Sequence, residues 1–283
     1  MKLLVLTSRF PYPIEKGDKL RIYHQIKRLS RNHDVVLCAL TDKPVRRRHL
    51  LRLKRYCSEV YVYRLHWSGT IWRGIRGLAS SMPLQVSYFY NSDIHFKIKG
   101  IIKKEKPDRI YCQLLRMAEY IKDLNTPATI DYMDTFSKGM ERRAEASAFW
   151  NRGVMKTEAR KLARYEEEIF ARFDQWTIIS EQDRKDLPVK GKDKVVVIPN
   201  GVDTDYYQPQ PDMASTDEVV FVGNMGYFPN VKAAEFLVQE VMPLVWKEFP
   251  EMRVLLACLG AVGADEAHGG EDGGNLGEED VVY

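Results

Sequence analysis

Short apolar runs alternate with charged amphipathic segments along most of this chain, and that rhythm limits the folds open to it. Apolar runs at Lys2–Thr7, Asp34–Leu40, Val60–Tyr63, Arg109–Cys112, Ala128–Asp131, Gln175–Ile179 and Val195–Ile198 are too short for buried helices and read as buried strands. Leu20–Ser30, Arg46–Tyr56 and Ser92–Lys104 are amphipathic and read as helices between them. Strand, helix and strand repeated in this way predict a doubly wound parallel sheet. A Glu- and Arg-rich stretch between Asp134 and Phe173 is expected to form two helices broken near Gly153. A second α/β unit begins at Glu218, with strand Val219–Val222, a Gly-containing loop, helix Val231–Phe249 with Asn230 as its N-cap, and strand Met252–Ala257.

The pattern then stops. Residues 259–283 contain seven glycines, seven acids and no Lys or Arg, too little to bury a core, and disorder is expected there. The shift is abrupt enough to suggest that a reading frame is lost near Cys258; a genuine acidic tail is the competing account. The preceding 258 residues hold all 43 Lys and Arg against 32 acids, a net charge of +11. A basic body suits a phosphate-bearing ligand or an anionic membrane surface. Nucleic acid is disfavoured, because the cations are scattered and no helix-turn-helix or zinc-finger spacing occurs. Cys38, Cys57, Cys112 and Cys258 are isolated, with no metal-ligand spacing, so no metal is expected. No apolar run approaches a spanning helix or a signal peptide, and the expected location is the cytoplasm, with peripheral contact at the inner membrane face.

Several segments carry chemistry-bearing residues. The loop Thr7–Asp18 follows the first strand, where open α/β sheets bind ligands, and Gly17 at the mouth of a helix admits an anion to backbone N–H groups. The loop is not GxGxxG, which argues against a dehydrogenase or a sugar-nucleotide epimerase; a plain connection is the alternative. Asp131 and Asp134 end another strand, and serve either as an acid/base or metal-binding pair or, for Asp134, as a helix N-cap. Glu158–Glu168 reads as a solvated helix face, and Ser180 as a cap. Gly223, Asn224, Gly226, Asn230 and Lys232 gather around a strand-to-helix turn that offers N–H donors to a diphosphate. Trp67 and Trp72 belong to an apolar and aromatic stripe at helical spacing, with Arg73 and Arg76 close by, either core or an interfacial helix that meets a membrane or an acceptor.

The run Ile198-Pro199-Asn200-Gly201-Val202-Asp203, followed by Tyr206-Tyr207-Gln208-Pro209, leaves a strand through an Asn-Gly pair expected to supply positive φ for a reversal. At this place between two α/β halves it resembles the interdomain signature of family-4 glycosyltransferases of GT-B architecture. Asp131 to Ser137 is similar to a subgroup of sugar transferases associated with exosortase-linked exopolysaccharide systems. The resemblance implies an α/β GT-B-like fold, with a Rossmann-type N-terminal domain at 1–205, a linker at 206–217, an incomplete second Rossmann-like domain at 218–257 and the tail at 258–283. It further implies a hexosyltransferase that moves a sugar from a nucleotide-sugar to a polysaccharide or lipid-linked acceptor, without cofactor or metal.

Three departures from the family matter. An Arg and a Lys that neutralise the donor diphosphate in relatives are replaced by Asn224 and Asn230, with Lys232 nearby, and no catalytic His stands near Asp131. The later paired-glutamate motif is also missing, since Glu278-Glu279 lies in no strand-helix framework. Little or no transferase activity is therefore expected of this polypeptide, and a non-catalytic acceptor- or membrane-binding module is the alternative function.

Overall fold

The computed structural model describes residues 1–65, 80–147, 149–208, 218–226 and 228–259. They divide between Val202 and Asp203 into two compact units. In the first, seven strands form one parallel sheet: β1 (Lys2–Thr7), β2 (Asp34–Thr41), β3 (Glu59–Arg64), β4 (Arg109–Gln113), β5 (Ala128–Asp131), β6 (Gln175–Ile178) and β7 (Val196–Val197). Their spatial order is β3-β2-β1-β4-β5-β6-β7. β1 is central, with Leu6 registered against Cys38 on one side and Cys112 on the other. The order reverses between β1 and β4, so the helices that follow these two strands leave toward opposite faces and open a crevice at their carboxyl ends.

Both faces of the sheet are covered, which explains why the strands read as continuous apolar runs and not as alternations. Side chains still point alternately up and down. Leu4, Leu6, Cys38, Cys112 and Ile130 pack into one core layer with Ile98 and Leu162. Val5, Leu37 and Ala39 pack into the other with Ile22, Ile26 and Leu53. The helices are α1 (Gly17–Leu29), α2 (Arg47–Leu53), α3 (Leu84–Phe89), α4 (Ser92–Glu105), α5 (Phe136–Ala146), α6 (Phe149–Phe170) and α7 (Glu181–Asp186). α4 is capped by Asn91, whose Oδ1 accepts from the N–H groups of Asp93 and Ile94, and α7 by Ser180, which accepts from Asp183 N–H. The second fills the role its sequence position suggested.

Four expectations need correction. The helical stretch after Asp134 breaks between Ala146 and Phe149, not at Gly153. Ser147 ends α5, its Oγ donating to the Ala144 carbonyl at 2.9 Å. A single Gly costs a helix about 1 kcal/mol, which α6 absorbs through packing. The Glu158–Glu168 face is not solvated throughout, for Glu158, Leu162, Tyr165 and Glu166 are buried. Asn200 and Gly201 do not take positive φ; among the described residues only Lys106, Leu114, Met133 and Gly191 do. Finally, Val231–Phe249 is not one α-helix. It comprises α8 (Phe228–Phe236), a π-helical turn (Leu237–Val241) and α9 (Met242–Glu248). Pro243 lacks the N–H that a continuous helix needs and crowds the carbonyl four residues back, so the helix widens before it.

In the second unit β8 (Glu218–Asn224) pairs in parallel with β9 (Arg253–Leu259), and Gly223 is registered against Cys258. β9 thus runs two residues past the expected strand end. Residues 260–283, where disorder is expected, lie outside the described residues. Among the described residues no helix is long and apolar enough to cross a membrane.

Candidate functional site

The carboxyl ends of β4 and β5 carry two backbone conformations that L-residues rarely adopt. Leu114, directly after β4, has φ 68° and ψ 146°, and Met133, two residues after β5, has φ 62°. Asp134 N–H donates back to the Tyr132 carbonyl at 2.8 Å, so Met133 is the centre of a γ-turn of the strained kind. Both residues are at least nine-tenths buried, and Leu114 N–H is held by the Asp131 carbonyl at 2.8 Å. Strain of this sort costs about 1–3 kcal/mol per residue and persists where the surroundings fix a functional arrangement.

Those surroundings form a polar network. Asp131 is fully buried, and its Oδ2 accepts from Arg21 Nε at 2.8 Å and from the Tyr111 hydroxyl at 2.9 Å. Arg21 also donates from Nη1 to Asn200 Oδ1 at 2.9 Å, which ties α1 to the segment after β7. Gln113 Nε2 donates to the Asp18 carbonyl at 2.7 Å, tying β4 to the first turn of α1. Asp131 is therefore a positioning group with its lone pairs committed, and its side chain is closed to solvent. The capture of Asn200 by Arg21 accounts for the absence of a tight Asn-Gly reversal.

Asp134 behaves differently. It is not the N-cap of α5; that position belongs to Thr135, whose hydroxyl donates to the Asp183 carbonyl at 2.8 Å. Asp134 keeps surface exposed to solvent. Crowding by protein pushes its carboxyl up to about 6, against the pull of Arg116 and Arg143. Beneath it, Glu166 of α6 accepts from Ser137 N–H at 3.1 Å and from the Ser137 hydroxyl, and burial lifts its carboxyl to about 7.

A cleft of about 370 Å³ opens at the switch point. Ser8 and Arg9 from the end of β1, and Arg116 from the 3₁₀ turn Leu115–Tyr120, line one part of it. Leu65, Leu84, Gln85, Tyr88 and Phe89 line the other, with Asp42 at its edge. Arg9 is paired with Asp18. The Arg116 guanidinium lies over the rings of Phe89 and Phe136, 5.0 and 5.1 Å from their centroids. Burial and the neighbouring Arg9 lower its pKa to about 10, which leaves it charged at neutral pH. Ser8 Oγ and Arg116 Nε are buried without a hydrogen-bond partner. Gly17 begins α1 as expected, with open space where a Cβ would stand.

In the second unit, four of the five residues anticipated around the β8–α8 turn, Gly223, Asn224, Gly226 and Asn230, lie against one another, and Lys232 does not join them. Asn224 Oδ1 accepts from Gly226 N–H at 2.8 Å, and Asn230 Nδ2 donates to the Asn224 carbonyl at 3.0 Å. Asn230 is thus inside α8 and folds back on the turn, a correction to its expected place as N-cap. A Cβ on Gly223 would stand 2.9 Å from the Phe221 ring, so the turn is built around its absence. Lys232 is exposed and pairs with Glu235. Trp67, Trp72, Arg73 and Arg76 lie outside the described residues.

Ser8, Arg21, Gln113 and Arg116 escaped the sequence reading. A signal existed for one of them: Asp18, Arg21 and Gln25 recur at spacings of three and four beside the apolar Ile22 and Ile26, a polar stripe on a helix facing the sheet. Arg116 gave none, for its partners come from distant elements.

Residues 20–206 match the sequence model of the family described as Glycosyltransferase Family 4. A protein of Klebsiella pneumoniae described as an uncharacterized 44.6 kDa protein in the cps region is 22% identical over 268 residues, which are 90% of this chain and 64% of that protein. Among solved structures, a sucrose-phosphate synthase from Thermosynechococcus elongatus superposes with a TM-score of 0.57 at 16% identity, over 90% of this chain and 62% of its own. The chain thus spans less than two thirds of the length of these relatives. A parallel sheet with its crevice at the β1/β4 switch point, the GT-B-like likeness and a family match over most of the chain agree: this protein belongs to glycosyltransferase family 4.

Proposed function

We propose that the chain serves the transfer of a sugar from a nucleotide-sugar to an acceptor hydroxyl, with the acceptor seated in the cleft of the first unit. The observation that carries this reading is the cleft itself, at the β1/β4 switch point, with Asp134 close enough to Arg116 of its wall for the two charges to interact. Asp134 is the group we assign to take the proton from the acceptor hydroxyl, because a pKa near 6 suits a base at neutral pH. Asp131 holds Arg21 and does not reach a substrate.

The turn from Gly223 to Asn230 is our assignment for the donor diphosphate. Backbone N–H groups at the start of α8 and the Asn224 and Asn230 amides would meet its charge, with Lys232 adding a cation after release from Glu235. For the acceptor we take a polysaccharide or lipid-linked glycan; the cps-region description of the Klebsiella relative supports that choice. With Asn224 and Asn230 standing where relatives place cations against the donor diphosphate, we assign the polypeptide 1–283 little turnover of its own. Peripheral membrane contact, a cytoplasmic location and the absence of a metal or cofactor requirement remain part of this proposal.

The test combines nucleotide titration, followed by backbone amide NMR, with a transfer assay on UDP- and GDP-sugars. Shifts at residues 223–232 with transfer at background are expected. Nucleotide that leaves those amides unmoved overturns the donor assignment, and sustained transfer overturns the assignment of low turnover.

A further inference from the structure

The cleft of the first unit has a chemical selectivity that its place in the fold does not explain. We propose that it receives a sugar ring bearing a single carboxylate, with Arg116 as the residue that recognises the charge. This rests on the reading that the cleft seats the acceptor.

Charge favours a monoanion. Arg9 and Arg116 are the cleft's two cations, but Arg9 is already neutralised by Asp18, and Asp42 stands at the edge. Arg116 has no carboxylate partner among the described residues; Asp18 and Asp134 act on it only through space. Its only hydrogen bond among the described residues is a long one, from Nη2 to Gln85 Oε1 at 3.5 Å, and Nε has none there. A half-buried guanidinium packed over two aromatic rings and short of acceptors is an incomplete site. A carboxylate completes it, because the planar fork presents two parallel N–H groups to two oxygens. One unneutralised arginine balances one negative charge, whereas a diphosphate would bring at least two into the same space.

A second observation comes from β1. Ser8 is 98% buried, lines the same cleft and leaves its Oγ unpartnered, so a ring hydroxyl or a carboxylate oxygen that reaches it gains a hydrogen bond without displacing an internal one. The opposite wall is apolar and aromatic, formed by Leu65, Leu84, Tyr88 and Phe89, and Tyr88 presents an exposed ring on which a pyranose face can rest. The volume, about 370 Å³, lies at the small end of the roughly 300–1,000 Å³ of ligand pockets.

The experiment titrates the full 283-residue chain with methyl β-D-glucuronide, methyl β-D-glucoside and glucose 1-phosphate, following backbone amides and the Arg116 Nε–H resonance by NMR. The glucuronide is expected to bind about tenfold tighter than either other sugar, a gain typical of a bidentate charged pair. It should shift amides at residues 8–9, 84–89 and 116 and the Nε–H resonance. R116Q and R116K should both erase that preference; if either fails to fold, the wild-type Nε–H response to glucuronide but not glucoside decides. Equal binding of glucuronide and glucoside overturns the carboxylate and leaves the acceptor cleft standing. Tighter binding of glucose 1-phosphate assigns the anion to a phosphate and overturns the proposal. No binding of any of the three overturns both it and the acceptor reading.

Discussion

Removing the Asp131 carboxylate should unfold the first unit well below its normal temperature. Asp131 is wholly buried and Arg21 has a side chain only 4% exposed, with Nε 2.8 Å from Oδ2. In D131A the guanidinium keeps its bond to Asn200 and loses its counter-ion, and Tyr111 loses the acceptor of its hydroxyl. Leaving a buried charge unpaired costs about 3–5 kcal/mol. For a unit of this size each kcal/mol moves Tm by roughly 2–4 °C, so the first transition should fall by roughly 6–20 °C. Circular dichroism at 222 nm during a thermal ramp reads this directly. The double variant R21M/D131L, which replaces the pair by apolar side chains of similar volume, should recover most of the loss, because it removes both desolvated charges together. A D131A transition within about 2 °C of wild type would refute the reasoning, and would mean that water or rearrangement compensates Arg21. A double variant as unstable as the single one would show that the network matters through shape and not through charge.

Two further outcomes follow from buried groups. Glu166 has a folded pKa of about 7 against a model-compound value of 4.5, so the folded state holds its proton more tightly. That contribution to stability is complete below about 4.5 and is lost as pH rises through about 7. The Tm of wild type relative to E166Q should therefore decline between pH 5 and pH 7.5, and a pH-independent difference contradicts the assignment. Cys38 and Cys57 are buried thiols pushed up to about 12, and Cys112 is raised further still, so mapping after a brief alkylation at pH 8 should find these three unlabelled until denaturant is added.

Much of the first unit is legible in the sequence for a physical reason. A strand covered on both faces must be apolar throughout, and Leu3 to Leu6 or Val35 to Leu40 cannot be satisfied elsewhere. β1 and β5 accordingly start and end where the apolar runs do, and Ser180 caps α7 because that interaction spans three residues. Local chemistry of this range is encoded locally. The errors arose where a local rule met a distant partner. Asp134 has the sequence of an N-cap, yet Thr135 takes that position, its hydroxyl held by the Asp183 carbonyl from 48 residues away. Asn200-Gly201 has the sequence of a turn, yet Arg21, 179 residues earlier, holds the Asn side chain.

The sequence by itself determined the layered α/β architecture and the family, both of which depend on periodicity and short motifs. Only the tertiary structure decided what the two aspartates do. Asp131 and Asp134 are three residues apart, but one is enclosed under α1 against Arg21 and the other reaches solvent. It alone also brought Ser8, Phe89 and Arg116, from three separate elements, to one cleft. Burial and counter-charge are properties of what folds over a residue, and the elements that fold over these lie tens to more than a hundred residues away. No pattern in the residues beside them carries that information.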